Sequence, residues 1–275
     1  MPENQIKVQL NPDVTPAGSD LSIVNAARRS FNTRSEWEKD CLPYGGAVDE
    51  FGCKFHDKVL KPKDKRLLEF LARGMTAEDF QKFIDNVPAP DTEGHEKELK
   101  EMLWQWRNTP THDTPFNHTF ISFEVQAPIF VRAQLVKHEY LIMSEFSRRY
   151  ITDDVTFYEP DVWRKAAENK KQGSSSESIH SWHVEDSVMA LGENALSVYK
   201  DLLKEGVAPE QARMLLPQST MTEWTWSGTL GAFAKMCTLR LHPEAQYEAR
   251  LVAEQVYGYL KEYYPVGAKA LVEGV

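Results

Sequence analysis

Apolar residues recur at helical spacing in several separated stretches of the chain. Leu21, Ile23, Val24, Ala27 and Phe31 predict a short helix over residues 19–31, with Ser19 or Asp20 as its N-cap. Leu67, Leu68 and Leu71 predict another over 63–74, stopped by Gly74. Thr76 to Asp79 has the form of a capping box opening a helix through Ile84. Leu99, Met102, Leu103 and Trp106 form an apolar stripe on a helix over 95–107. Residues 32–62, punctuated by Pro43, Gly45, Gly46, Gly52 and Pro62, read as irregular.

Strand alternation appears in IKVQL near the N-terminus and in TFISFEV, which puts Thr119, Ile121, Phe123 and Val125 on one face. Pro128 stands where a helix would begin. On that helix Gln134, Lys137, His138 and Leu141 share a face, beside an apolar stripe of Ile129, Ala133 and Val136. The polar face then continues as a row toward Ser144, Glu145, Ser147, Arg148 and Arg149. An acidic, aromatic loop over 151–164 follows, then a polar tract over 165–178 that reads as mobile. A long helix is expected over 179–203, with Val188, Leu191, Ala195, Tyr199 and Leu202 at core spacing and Gly206 at its end. Pro209 opens a short helix carrying Arg213 among apolar neighbours. Residues 219–241 turn through Gly228 into a helix ending near Arg240, and 242–260 form an amphipathic helix closed by Pro265. There is no internal repeat and no linker. The expectation is an α+β single domain over 1–275, with a small, mostly antiparallel sheet flanked by long helices.

Composition narrows the class. The chain has 275 residues, 41% hydrophobic and 11% aromatic, enough to bury a sizeable core. A net charge of −9 opposes a general nucleic-acid role, although local basic clusters can still hold a small phosphate compound. No secretory h-region and no membrane-length apolar run occurs, which points to a cytoplasmic protein with no membrane partner. Three cysteines do not make a disulfide framework, and the spacing of Cys41, Cys53 and His56 lacks the close pairs of a structural zinc site, so no metal is expected. His180 and His183 read as surface or capping residues.

The chemistry concentrates in residues 134–150, QLVKHEYLIMSEFSRRY. Within seventeen residues it gathers Lys137, His138, Glu139, Glu145, Arg148 and Arg149, directly after apolar APIFV. An apolar scaffold leading into convergent cations and hydroxyls suits an anion. His112, Thr114, Asn117 and His118 bunch on a proline-stiffened turn. Arg28, Arg29 and Ser30 end the first helix, where a phosphate or the helix dipole would each attract them.

In KHEYLIMSEFSRRY, the residues His138, Glu145, Ser147, Arg149 and Tyr150 resemble the signature of the flavin-dependent thymidylate synthases. The flanks resemble it too. DLSIVNAARRSF, HDTPFNHTFISFEVQAPIFVRAQLVKH, EGVAPEQARMLLP and LRLHPEAQYE follow in the family's order. The segment 32–107 is longer than in compact bacterial members and, with the SRRY phrasing, looks like a viral-type branch, for which the host cytoplasm would be the setting. The resemblance implies methylation of dUMP to dTMP, with methylenetetrahydrofolate as carbon donor and FAD reduced by NADPH, in a homotetramer with sites shared between subunits. It places Arg240 on the uracil ring, activating it without a covalent enzyme nucleophile. Gln134, Lys137, Glu145, Ser147, Arg148, Arg149 and Arg213 would join it in holding the nucleotide, Arg213 reaching a neighbouring subunit's. Ser30, His112, Thr114, Lys137, His138, Glu139 and Glu145 would contact FAD. Lys137 and Glu139 stand where the family has arginines, and Ile142 where it has serine. Thr229, Gly231 and Lys235 replace usual flavin contacts, with Lys235 supplying a compensating charge. Two alternatives stand beside this reading: a relative that modifies another pyrimidine nucleotide, for example by hydroxymethyl transfer, or, motivated by Glu139 and Ile142, a non-catalytic nucleotide-binding homologue.

Overall fold

A computed structural model describes residues 5–40, 57–87, 94–107, 111–167 and 173–273. The elements run β1 (Lys7–Leu10), α1 (Asp20–Arg28), β2 (Glu38–Asp40), β3 (Asp57–Val59), α2 (Pro62–Arg73), α3 (Ala77–Asp85), α4 (His95–Arg107), β4 (Ile121–Pro128), α5 (Ile129–Leu135) and β5 (Ile142–Glu145). They continue with β6 (Trp163–Ala166), β7 (Ser174–Ile179), α6 (Trp182–Lys204), α7 (Pro209–Ala212), β8 (Met221–Gly228), α8 (Leu230–Arg240), α9 (Tyr247–Tyr263) and α10 (Pro265–Val272). Short 3-10 turns occupy Arg29–Phe31, Thr114–Asn117 and Arg213–Leu215. The chain thus has the expected α+β composition with antiparallel sheets, and it forms two compact units.

The first unit comprises Met1–Thr15, Ile121–Gly228 and Met236–Tyr259. Its frame is a four-stranded antiparallel sheet in the order β1-β4-β8-β5. Register places Phe123 opposite Trp226 and Val125 opposite Trp224, so these side chains line one face and are buried. Lys7, Gln9, Glu124, Gln126, Glu223 and Thr225 occupy the other face. Helix α9 packs on the core side, with Tyr259 5.7 Å from Phe123 and Gln255 accepting the Val8 N–H at 2.9 Å.

The second unit comprises Pro16–Phe120, Thr229–Lys235 and Leu260–Val275. Ser19 caps α1 by accepting from the Ser22 N–H, and the Thr76–Asp79 capping box is complete. Gly74 closes α2 at φ 72°, the left-handed conformation a helix stop requires. Asp20 is buried and accepts the N–H groups of Val266 and Gly267 at 2.8 and 2.9 Å, which fixes the start of α10. Burial nevertheless raises its pKa above the usual carboxylate value, the two backbone bonds opposing that shift. Arg28 and buried Asp64 form an ion pair, and Ser35 donates to the same carboxylate.

Several expectations from the sequence are corrected. The helix from Pro128 ends at Leu135, and the anticipated polar helical row breaks there. Tyr140 turns the chain at φ 63°, and Ile142–Glu145 join β8 as a strand. The stretch before Gly228 is the strand β8, which lies inside the sheet and satisfies ladders on both sides. The polar tract after Arg164 includes a two-stranded pair, β6 with β7, and part of the irregular 32–62 region is the antiparallel pair β2–β3. On α6, Leu191 is 61% exposed, and of the five expected core residues only Tyr199 is fully buried. Pro265 opens α10 at its first turn and does not simply end the preceding helix. On α4, Leu99 and Met102 are half-buried and Leu103 is exposed. Cys41, Cys53 and His56 lie outside the described residues. Among those described, no helix is long and apolar enough to cross a membrane, and no cluster of His, Cys, Asp or Glu has a metal-binding arrangement.

Candidate functional site

In the first unit, a hydrogen-bond chain built from four segments centres on Arg240 at the end of α8. Its Nε donates to His138 Nε2 at 2.9 Å and its Nη2 to the Gln134 carbonyl at 3.2 Å. His138 must present a lone pair at Nε2, so its proton resides on Nδ1. Burial, and then the Arg240 charge, lower its pKa from 6.5 to about 4, so the ring is neutral at pH 7. Burial also lowers the Arg240 pKa, though a guanidinium starts so high that it stays charged. Of its five N–H groups, two make the named bonds among the described residues, and three are left for a ligand.

Behind Gln134, a second row keeps this arrangement in place. The Gln134 amide donates to Gln246 Oε1, and Gln246 in turn donates to Glu248 Oε2 at 3.0 Å. Glu248, 4% exposed, is paired with Arg164, whose guanidinium lies 4.5 Å from the centre of the Tyr247 ring. Glu145 faces the core side of β5. It accepts Thr222 Oγ1 at 2.8 Å and pairs with Arg132 at 2.8 Å.

The remaining residues expected at the nucleotide are placed as follows. Ser147 Oγ accepts both the N–H and the Nε–H of Arg149, at 3.3 and 3.2 Å. Arg149 is exposed above the Tyr150 ring. Arg148 donates to the Asp153 and Asp154 carbonyls at 2.5 and 3.1 Å and stacks on Phe146, so it braces its own loop. Lys137, Glu139 and Arg213 are exposed. Cys237 is buried, and desolvation pushes its thiol pKa well up, which makes it a poor nucleophile.

In the second unit, Ser30, His112 and Thr114 line one open cavity of about 1090 Å³. Its apolar floor includes Ala26, Ala27, Leu67 and Pro115. Phe70 faces His112 at an interplanar angle of 26°, with ring centres 6.5 Å apart. An apolar floor rimmed by hydroxyls and cations fits an anionic, aromatic cofactor. Thr229, Gly231 and Lys235 do not line this cavity but bind the turn that carries Thr114. Thr229 Oγ1 donates to Asn117 Oδ1 at 2.7 Å, and Lys235 pairs with Asp113 at 3.1 Å. A Cβ on Gly231 would fall 2.6 Å from Asn117 Oδ1, so a side chain there would displace the Asn117 amide from Thr229.

Sequence reasoning missed Arg132, Arg164, Gln246 and Glu248. Arg132 offered the same signal as Arg213, a cation within an apolar helical segment, whereas Arg164 meets Glu248 across 84 residues and had no local signal.

The architecture is shared with solved structures of pyrimidine nucleotide methylases. The UMP/dUMP methylase PolB from Streptomyces cacaoi, bound with 5-Br dUMP, aligns at TM-score 0.66 and 25% identity over 98% of this chain and 96% of that one. Its complex with 5-Br UMP aligns at TM-score 0.67 with the same identity and coverage. The family model described as thymidylate synthase complementing protein, Thy1, matches residues 14–266, and the chain belongs to that family. A flavin-dependent thymidylate synthase from Thermus thermophilus is 36% identical over 166 residues, 59% of this chain. That from Thermosipho africanus is 35% identical over 157 residues, 56% of this chain and 68% of the relative. The chain spans 60% of the length of the Thermus relative it matches.

Proposed function

We propose that the chain is a flavin-dependent thymidylate synthase, methylating dUMP with methylenetetrahydrofolate as carbon donor and FAD reduced by NADPH. The observation that carries this reading is the Arg240 guanidinium, held by neutral His138 and the Gln134 carbonyl with three N–H groups left over. A cation fixed in this way beside a uracil ring favours the ring's ionised form and makes its carbon nucleophilic, with no covalent enzyme nucleophile. Gln134 orients the ring edge. Arg149, Ser147 and Arg213 supply donors for the phosphate dianion, with Arg148 bracing the loop. Lys137, Glu139 and Glu145 complete the site, Glu145 positioned by Arg132 and Thr222. Ser30, His112 and Thr114 hold the FAD, and Thr229, Gly231 and Lys235 support the turn from which Thr114 projects. The chemistry the flavin supplies when bound is hydride transfer. The chain acts as a single domain, in the cytoplasm. Trp182, Met189, Leu191 and Val198, exposed on α6, suit burial against other copies in a homotetramer.

The test is turnover. Purified protein should retain a yellow flavin and release tritium from dUMP labelled at C5 when given NADPH and the folate, and Arg240→Ala should abolish that release. Protein that retains no flavin and releases no tritium with FAD supplied would refute the reading. A second reading, methylation of UMP as well, is favoured by the PolB likeness over 98% of the chain. Parallel assays with UMP and dUMP separate the two.

A further inference from the structure

The cavity that gathers Ser30, His112 and Thr114 has a wall that the family resemblance does not account for. Helix α2, within the segment 32–107, contributes Lys63, Arg66, Leu67 and Phe70 to its lining. Their spacing of i, i+3, i+4 and i+7 puts all four on one helix face. The adjoining face of α2 is the structural one, with Asp64 and Leu68 buried, and buried Leu71 stands at the border between the two and also lines the cavity. One face therefore builds the unit, and the other presents two cations and an aromatic ring to open space.

The state of the cations distinguishes this wall from an ordinary solvated helix. Arg28 also lines the cavity but is committed to Asp64 at 2.5 Å. Arg66 approaches Glu78 only at 3.9 Å, between side chains 53% and 71% exposed, an arrangement worth little. Lys63 and Arg29 form no ion pair among the described residues, and both lie on the cavity. Three weakly committed cations thus border one cavity in a chain whose net charge is −9. Hydroxyls of Ser30, Thr33, Thr76 and Thr114 stand among them. Phe70, 43% exposed and stacked near His112, gives a flat apolar surface one helical turn beyond Arg66.

Resting on the function proposed above, we propose that α2 is a cofactor-binding helix: Lys63 and Arg66, with Arg29, hold the diphosphate of the FAD, and Phe70 packs against its adenine. A dinucleotide presents a doubly charged diphosphate between two planar ring systems, and α2 offers two cations and, one turn further on, an aromatic ring on the same face. Two cations on one helix face engage a diphosphate better than either alone, because both charges act on the same group. This gives part of the segment 32–107 a task. It also supplies positive charge in a chain where Glu139 replaces an arginine expected near the anionic cofactors.

The chain and its Lys63→Glu/Arg66→Glu variant would be compared by flavin fluorescence titration with FAD and by calorimetry with ADP, FMN and dUMP. The variant should bind FAD and ADP at least tenfold more weakly, FMN less affected, and dUMP within twofold of the parent. FAD and ADP affinities within twofold of the parent, which itself binds FAD, would overturn this inference and leave the proposed function standing. A parent that binds neither FAD nor ADP would overturn that function, and this inference with it. If the charge reversal also weakens dUMP, the Lys63→Gln/Arg66→Gln variant decides. A loss of FAD affinity alone supports the assignment, and no loss refutes it.

Discussion

His138 should remain neutral until the solution is strongly acidic, and this property can be measured independently of turnover. Its pKa falls from 6.5 to about 4, chiefly because burial penalises the imidazolium and secondarily because Arg240 lies 2.9 Å away. A shift of that size opposes protonation by at most about 3 kcal/mol, and solvent screening of the half-buried ring brings this toward about 2 kcal/mol. The sign follows from the direction: the fold prefers the neutral ring, whereas the unfolded chain takes up its proton near 6.5. The stabilisation is therefore complete above 6.5 and is lost as pH falls from there toward 4. Other groups titrate in the same window, so a difference measurement is required. His138→Gln offers an amide oxygen to the Arg240 Nε–H but does not titrate. Between pH 7 and 4.5, the stability of the parent relative to this variant should fall by about 2 kcal/mol in urea unfolding. NMR titration should show an Nδ1–H tautomer and a midpoint well below 5. A midpoint of 6 or above, or a pH-independent stability difference, would refute the assigned roles of burial and Arg240. In Arg240→Ala the pKa should rise only part of the way to 6.5, because the larger cause, burial, remains.

Three further outcomes test other parts of the structure. Arg164→Ala should cost about 3–5 kcal/mol, since it leaves the Glu248 carboxylate buried without its partner; a denaturation shift equivalent to less than about 1 kcal/mol would contradict that. Gly231→Ala should destabilise by about 1–3 kcal/mol through overlap with Asn117 Oδ1. The effect should shrink when Asn117→Ala is introduced as well, and simple additivity in the double-mutant cycle would show that the clash is not the cause. Trp226→Ala should cost about 3–5 kcal/mol by opening a cavity where β4 and β8 pack, measured by chemical denaturation with m unchanged.

Much of the local structure was legible because local rules decide it. Ser19, Gly74 and the Thr76–Asp79 pair each mark a helix end through bonds made within four residues. The alternation of Ile121, Phe123 and Val125 announced a half-buried strand for the same reason. The site was legible in part. Ser30, His112 and Thr114 do share a cavity, and Arg240 does meet Gln134 and His138. The helical row through Ser144 was illegible, since a strand at Ile142–Glu145 exists only because β8, about eighty residues on, offers its edge. Ser147 and Arg148 are likewise oriented by contacts whose partners no periodicity names.

Residues 134–150 show the division most clearly. The sequence by itself determined which charges and hydroxyls this stretch contains, that an apolar scaffold precedes it, and which family pattern it follows. Only the tertiary structure decided that the helix stops at Leu135 and that His138 is a neutral acceptor. It also decided that Arg240 meets His138 across about a hundred residues and that a helix outside the recognised motifs lines the cofactor-sized cavity. The physical reason is range. Helix caps and side-chain periodicity act between near neighbours, whereas ladder partners, desolvation and the pairing of distant charges depend on where the rest of the chain comes to lie.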